Sequence, residues 1–283
     1  MDARTAPPAA TLAMKIDKDA DGRMYQSTNQ PSLPETGAHE NVQSQDLQQP
    51  DFTPRRRATS RLLRAEVWYS VALVLFAVLA AFAHLYSYFG WDLRVARTLQ
   101  SLHAPGFAEL MRFVSLFGNS LTPHVLTLIA ILLFLFFRRR SEAAALLLSA
   151  GGGAIMTSLL KLLVARPRPT ADLVRIYRDV SSQSFPSGHV TFYVCFFGFL
   201  FFTAYALLPR YSLARRAALT ASFLPVLLVG FSRVYLGAHW PSDTLGAYLI
   251  SGVWLAFSLH LYRRWKERAT FHAMSGYDVR RAE

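Results

Sequence analysis

Two histidines, an aspartate, a lysine and several arginines gather in three short stretches of this sequence: Lys161 to Pro169 (KLLVARPRP), Pro186 to His189 (PSGH) and Ser232 to Asp243 (SRVYLGAHWPSD). Ionisable groups are costly to keep among apolar helices, so their presence there points to function by default. The chemistry they suit is phosphoryl transfer, which asks a protein mainly for positioning and for positive charge around three equatorial oxygens. Lys161, Arg168 and Arg233 are fitting cations, because a guanidinium fork matches phosphate in bidentate fashion and an ammonium adds a compact charge. The first stretch carries two Arg-Pro pairs, Arg166–Pro167 and Arg168–Pro169, and residue type alone leaves open which arginine is used.

In the second stretch, Ser187 is a good N-cap for a helix starting near His189. The backbone N–H groups of Gly188 and His189 would then point outward as an anion site, with the Ser187 hydroxyl as a further donor. His189 could act as general acid for a leaving alkoxide. In the third stretch, Pro241 suits the first turn of a helix, and His239 and Asp243 stand four residues apart. On a helix that began early enough, the carboxylate would hold one ring nitrogen and leave the other free to attack phosphorus. Taken singly, each stretch reads equally well as an ordinary feature: a snorkelling lysine, a capped helix start, a His/Asp pair tying a turn to a helix. A metal site is the competing use of two histidines and a carboxylate, but three cations would repel the ion, so no metal and no cofactor is expected. Cys195, the single cysteine, lies in an apolar run and reads as a small buried hydrophobe.

The elements that must position these groups are membrane helices. The chain is 52% hydrophobic and 17% charged over 283 residues, which is apolar for a soluble domain. Residues 1–50 hold 4 Lys/Arg against 7 Asp/Glu, and residues 51–283 hold 26 against 11, so the net charge of +12 belongs to the membrane part. The basic residues sit at the ends of apolar runs rather than along one soluble face, which argues against nucleic acid as a partner. Residues 1–66 lack an apolar signal segment and are expected to form a disordered N-terminal tail. Six apolar stretches follow between residues 67 and 262: Val67 to Phe89, Thr122 to Phe137, Glu142 to Val164, Val190 to Leu208, Ala217 to Val234 and Thr244 to Tyr262. Each is near the ~20 residues that cross ~30 Å of hydrocarbon, the second being the shortest. Residues 263–283 form a basic C-terminal tail.

Arginine clusters fall before the first span (Arg55 to Arg64), between the second and third (Arg138 to Arg140), between the fourth and fifth (Arg210 to Arg216) and after the sixth (Arg263 to Arg268). An even number of spans puts all four on one side, which the positive-inside rule makes cytoplasmic together with both termini. The three motifs then share the outer face. Arg166, Arg168, Arg175 and Arg178 break the charge rule in the outer loop of about residues 165–189, as an anionic partner would require. In the first outer loop, Phe107, Leu110, Met111, Val114 and Phe117 line one face of an amphipathic helix suited to the interface.

Read in order, Lys161–Arg168–Pro169, Pro186–Ser187–Gly188–His189 and Ser232–Arg233–His239–Asp243 match KxxxxxxRP, PSGH and SRxxxxxHxxxD. The chain thereby resembles the type 2 phosphatidic acid phosphatase family (PAP2), the lipid phosphate phosphatases, whose core is shared with vanadium haloperoxidases. The resemblance implies an all-α, polytopic six-helix membrane bundle with a PAP2-like core, acting as a metal-independent phosphatase on a lipid phosphate or polyprenyl diphosphate. It implies His239 as nucleophile forming a phosphohistidine, Asp243 as its orienting partner and His189 as general acid. Lys161, Arg168, Ser187, Gly188 and Arg233 would cradle the phosphate, with Arg168 rather than Arg166 in register. With the orientation that the arginine clusters give, a bacterial inner membrane is the expected location, the site lying at its periplasmic face. A vanadate-dependent oxidant and a non-catalytic lipid-phosphate binder are the competing classes; the spans weigh against the first and the retained histidines against the second.

Overall fold

The computed structural model describes residues 54–177 and 182–279, together with Asp17–Lys18 and Met24–Tyr25, and side chains within 66–177 and 182–267. Arg178 and the remainder of the expected N-terminal tail lie outside the described residues. The chain divides into two units, residues 1–51 and 52–283. In the first, Asp17–Lys18 and Met24–Tyr25 pair antiparallel, with Asp17 opposite Tyr25.

The second unit is helical: α1 (Pro54–Leu85), α2 (Gly90–Gln100), α3 (Phe107–Ser115), α4 (Thr122–Phe136), α5 (Arg140–Leu146), α6 (Gly152–Val164), α7 (Gly188–Leu207), α8 (Leu213–Tyr235) and α9 (Pro241–Val279). A π-helical turn, Leu147–Gly151, joins α5 to α6, so that Arg140–Val164 runs as one span. Helix α1 begins at Pro54 rather than at residue 67, with proline in the first turn, where its missing N–H is not needed. Helix α9 continues through the expected C-terminal tail to Val279.

Among the described residues, five helices are long and apolar enough to cross a membrane. The expected second span differs, because α4 has only 15 residues and rises ~22 Å at 1.5 Å per residue. A sixth crossing arises only if residues 107–118 and α4 count as one broken span, bent by 57°. The bend falls where Ser120 takes a positive φ of 48°. The expected interfacial helix and the expected second span are therefore two arms of one bent pair. Helix α2, within what reads as a loop, is an additional element.

Helix α7 occupies the centre, packed against α6, α8 and α9. Phe196 and Phe199 join Leu146 and Tyr262 in one buried cluster, and Val190, Tyr193 and Val194 join Val229 and Ala247 in another. The outer helices turn large apolar side chains outward, as at Val74, Leu162 and Phe136. Such exposure suits hydrocarbon as the surrounding medium.

At one end of the bundle, buried Glu142 accepts from Lys266 Nζ (2.8 Å) and lies 3.6 Å from Arg139. That bond brings the α4–α5 arginine cluster and the basic stretch of α9 to the same end. The three motifs occupy the other.

Candidate active site

Four helix termini build the site. Lys161 lies in the last turn of α6, after which Ala165 takes a left-handed φ of 52° and ends the helix before Pro167 and Pro169. Ser187 is the extended N-cap of α7, placing Gly188 and His189 in its first turn. Arg233 lies in the last turn of α8. The chain then turns through Gly237 at φ 67°, where a Cβ would run into the Arg175 carbonyl, so only glycine fits. That turn delivers His239 to the site just before α9 begins at Pro241.

His239 is 1% exposed. Its Nε2 lies 3.3 Å from Arg168 Nη1. A guanidinium can only donate, so Nε2 carries the lone pair and Nδ1 carries the proton. The Nδ1 side faces Ser184 Oγ at 3.4 Å and Asp243 Oδ2 at 3.5 Å. Burial, reinforced by Arg168, Arg233 and Lys161, holds the imidazole well below the usual histidine range and keeps it neutral. The His239–Asp243 pairing does not arise on a helical face, since the helix starts after His239. Instead Asp243 sits in the first turn of α9 and its Oδ2 accepts from Trp240 N–H (2.8 Å) and from the Ser184 hydroxyl, half of a capping box.

The two Arg-Pro pairs separate completely. Arg166 is buried, and each of its nitrogens is engaged: Nε by the Tyr86 and Ser87 carbonyls, Nη1 by Asp243 Oδ1 (2.6 Å) and Ser242 Oγ (2.6 Å), Nη2 by Asp92 Oδ2 (2.9 Å). Arg168 instead reaches His239, held by the Ser182 carbonyl (2.7 Å), the Ser182 hydroxyl (3.0 Å) and the Ala238 carbonyl.

Around the imidazole stand the remaining groups singled out from the sequence. Lys161 Nζ donates to the Gln183 carbonyl, which Arg168 Nη2 also approaches at 3.4 Å. Arg233 Nη1 donates to Ser115 Oγ (2.7 Å), bringing in the end of α3. Ser187 N–H donates to the Asp243 carbonyl (3.2 Å), tying the α7 cap to α9. The Ser187 hydroxyl makes no capping bond and is buried without a protein partner. A buried unpaired donor is costly, and an anion would satisfy it. Gly188 faces Lys161, a Cβ there standing 4.0 Å from Cε. His189 Nε2 lies 3.0 Å from Asn119 Oδ1, and His189 is within electrostatic range of Arg233, His239, Arg168 and Lys161.

A cavity of about 520 Å³ runs from Lys161 and Gly188 between α4 and α6, past Thr157, Ala154 and Thr127 to Ile131 and Leu147. It is polar near the site and apolar further down.

Asp92, Ser184, Ser242, Ser115 and Asn119 escape sequence reasoning. Asp92 had one usable signal, since Asp92, Ala96 and Gln100 form the buried stripe of α2 at helical spacing. The serines and Asn119 carry none, because their partners are distant in sequence. Among the described residues, no group of three or more His, Cys, Asp or Glu is arranged to hold a metal ion.

The PAP2 superfamily model matches residues 142–267, a range that takes in all three motifs. The chain is 33% identical over 94 residues to phosphatidylglycerophosphatase B of Bacillus subtilis (strain 168), covering 33% of this chain and 45% of that one. It is 30% identical over 118 residues to the lipid A 1-phosphatase of Rhizobium etli, covering 39% and 46%. The chain thus spans about half the length of the curated relatives it matches. The crystal structure of a transmembrane PAP2 type phosphatidylglycerolphosphate phosphatase from Bacillus subtilis superposes with a TM-score of 0.59 at 25% identity, over 71% of this chain and 96% of that one. With helices of spanning length and a transmembrane neighbour of the same fold, the chain is an integral membrane protein.

Proposed function

Residues 142–267 carry the PAP2 superfamily pattern, and on that premise we propose that this chain is a membrane-embedded phosphatase. It removes the terminal phosphate of a lipid phosphate or polyprenyl diphosphate without a metal. The contact between Arg168 and the His239 Nε2 lone pair carries this reading, because it sets a cation and a nucleophilic nitrogen at one point. A phosphate that takes the place of this contact gains charge-assisted hydrogen bonds from Arg168, Lys161 and Arg233, the Ser187 hydroxyl and the Gly188 N–H at the α7 terminus, and frees Nε2 to face phosphorus.

His239 Nε2 attacks phosphorus, forming the N–P bond as the P–O bond to the lipid breaks. His189 gives its proton to the leaving alkoxide, or to the leaving phosphate of a diphosphate. Asp243 holds the Nδ1 side and stabilises the charge that develops on the ring. A water then attacks phosphorus, His189 takes its proton, the N–P bond breaks and inorganic phosphate leaves. The cavity between α4 and α6 supports a lipid substrate, since its polar mouth adjoins Lys161 and its apolar depth suits a hydrocarbon chain. Opposite the arginine-rich end of the bundle, the site lies at the outer face of a bacterial inner membrane. Both termini then lie in the cytoplasm, the bent pair completes a sixth crossing, and residues 67–262 form the phosphatase domain.

The experiment measures inorganic phosphate release in detergent from phosphatidic acid, phosphatidylglycerol phosphate, a lipid A 1-phosphate and undecaprenyl diphosphate, with and without chelator. Chelator-insensitive release that His239→Ala lowers by at least about a thousandfold is expected. Release undiminished in His239→Ala overturns the nucleophile assignment, and release abolished by chelator overturns the metal-free mechanism.

A further inference from the structure

Three charged side chains form a line behind His239, all fully buried: Asp92, Arg166 and Asp243. Arg166 bridges the two carboxylates at 2.9 and 2.6 Å. Asp92 also accepts from the backbone N–H (2.8 Å) and hydroxyl (2.7 Å) of Ser242, the neighbour of Asp243. An Arg166–Asp243 pair alone would be neutral and satisfied. Asp92 adds a second carboxylate, so that by formal charge the line carries one net negative charge behind the imidazole. Away from water such a charge is poorly screened and acts over several ångströms.

We propose that Asp92 is a positioning residue for phosphoryl transfer: through Arg166 it sets how much negative charge Asp243 presents to His239, and so how readily that ring becomes the cationic phosphohistidine. This rests on His239 being the nucleophile. Asp92 sits on α2, outside the matched range of 142–267, so an element beyond the motif-bearing core tunes the reaction. The other charged or titratable groups facing the ring are Lys161 from α6, Arg168 from the loop, His189 from α7 and Arg233 from α8. All stay in place in the variants below.

The test is the pH dependence of kcat/KM for phosphatidic acid hydrolysis by the full chain in detergent. Asp92→Asn makes the line neutral. It is expected to lower kcat about tenfold, the lower end of what outer partners of a working imidazole contribute, with KM within about twofold. The acid limb moves to lower pH by on the order of half a unit to one unit, because the protonated ring loses a neighbouring anion. In Asp92→Asn/Arg166→Gln the net charge is again negative by one, and glutamine still offers Asp243 an amide donor; the limb is expected back near its wild-type position. A merely structural tie predicts the reverse ranking, with the double variant worse and the limb unmoved. Should Asp92→Asn be inactive, the double variant decides: restored activity supports the proposal and equal inactivity overturns it. His239→Ala is assayed alongside. Activity lost there with an unmoved limb in Asp92→Asn overturns this proposal alone, whereas activity retained there overturns the nucleophile reading beneath it.

Discussion

Gly118 lies directly against the His189 imidazole: a methyl group on its Cα would overlap the ring at Cδ2 and Cγ. Its neighbour Asn119 holds Nε2 of the same ring at 3.0 Å. The end of the bent pair's first arm therefore fixes where the proposed general acid stands, from a position some seventy residues earlier in the chain.

Gly118→Ala is accordingly expected to displace His189 and to slow hydrolysis where the leaving group needs its proton. With phosphatidic acid, whose leaving alkoxide is strongly basic, the rate should fall about a hundredfold, within the usual range for a positioned acid. With p-nitrophenyl phosphate, whose leaving group departs unprotonated, the fall should stay within a fewfold. Equal losses on both substrates would show that the residue matters only for folding.

The pH profile carries a definite sign. Burial first, then Arg168, Arg233 and Lys161, depress the His239 imidazole. The neutral ring is the nucleophile, so activity is present above the depressed value and lost as pH falls through it. The acid limb of kcat/KM for the free enzyme, set by this nucleophile, should therefore lie well below the ordinary histidine value of about 6.5. An acid limb centred at or above that value would contradict a neutral, cation-flanked nucleophile.

Ser187→Ala separates binding from stability. The Ser187 hydroxyl is buried and makes no bond within the protein, so its removal loses no internal partner. Thermal stability in detergent should be unchanged or slightly raised, while kcat/KM falls about tenfold, the worth of one hydrogen bond to a charged group. A clear drop in melting temperature would refute the assignment of this hydroxyl to the substrate.

Ala154 lines the cavity between α4 and α6. A phenylalanine there would fill the channel below Lys161. KM for long-chain phosphatidic acid is expected to rise about tenfold or more, with little change for a water-soluble short-chain analogue, because only the long chain reaches that depth. Equal effects on both would place the lipid chain elsewhere.

Much of the site was legible because its residues sit at helix ends, which sequence marks locally. Ser187 before Gly188 marks the α7 terminus and Pro241 the start of α9, and both fall where cap preferences put them. The bounds of the second apolar stretch were legible but its bend was not, because an apolar run reveals composition, not where the chain turns. Thr122–Phe136 is mostly apolar, yet the break at Ser120 makes it one arm of a bent pair. Helix α2 passed as a loop because its buried face includes Asp92 and Gln100, polar residues that blur the apolar stripe. Gln100 earns its burial by bonding the Arg175 backbone and the Tyr235 carbonyl, partners far along the chain.

The sequence by itself determined that cations, histidines and a carboxylate would meet at one end of an apolar helical bundle. Helix periodicity, caps and span lengths are local properties, and they suffice to place helix ends. The family register already favoured Arg168 over Arg166; the tertiary structure decided that Arg168 meets His239 and that Arg166 is locked between Asp92 and Asp243. It also decided that the His239–Asp243 pairing comes from a turn and that a lipid-sized cavity opens beside Lys161. The roles of the two arginines depend on contacts across seventy or more residues, and in a buried site the position of a partner, rather than the type of a residue, sets its role.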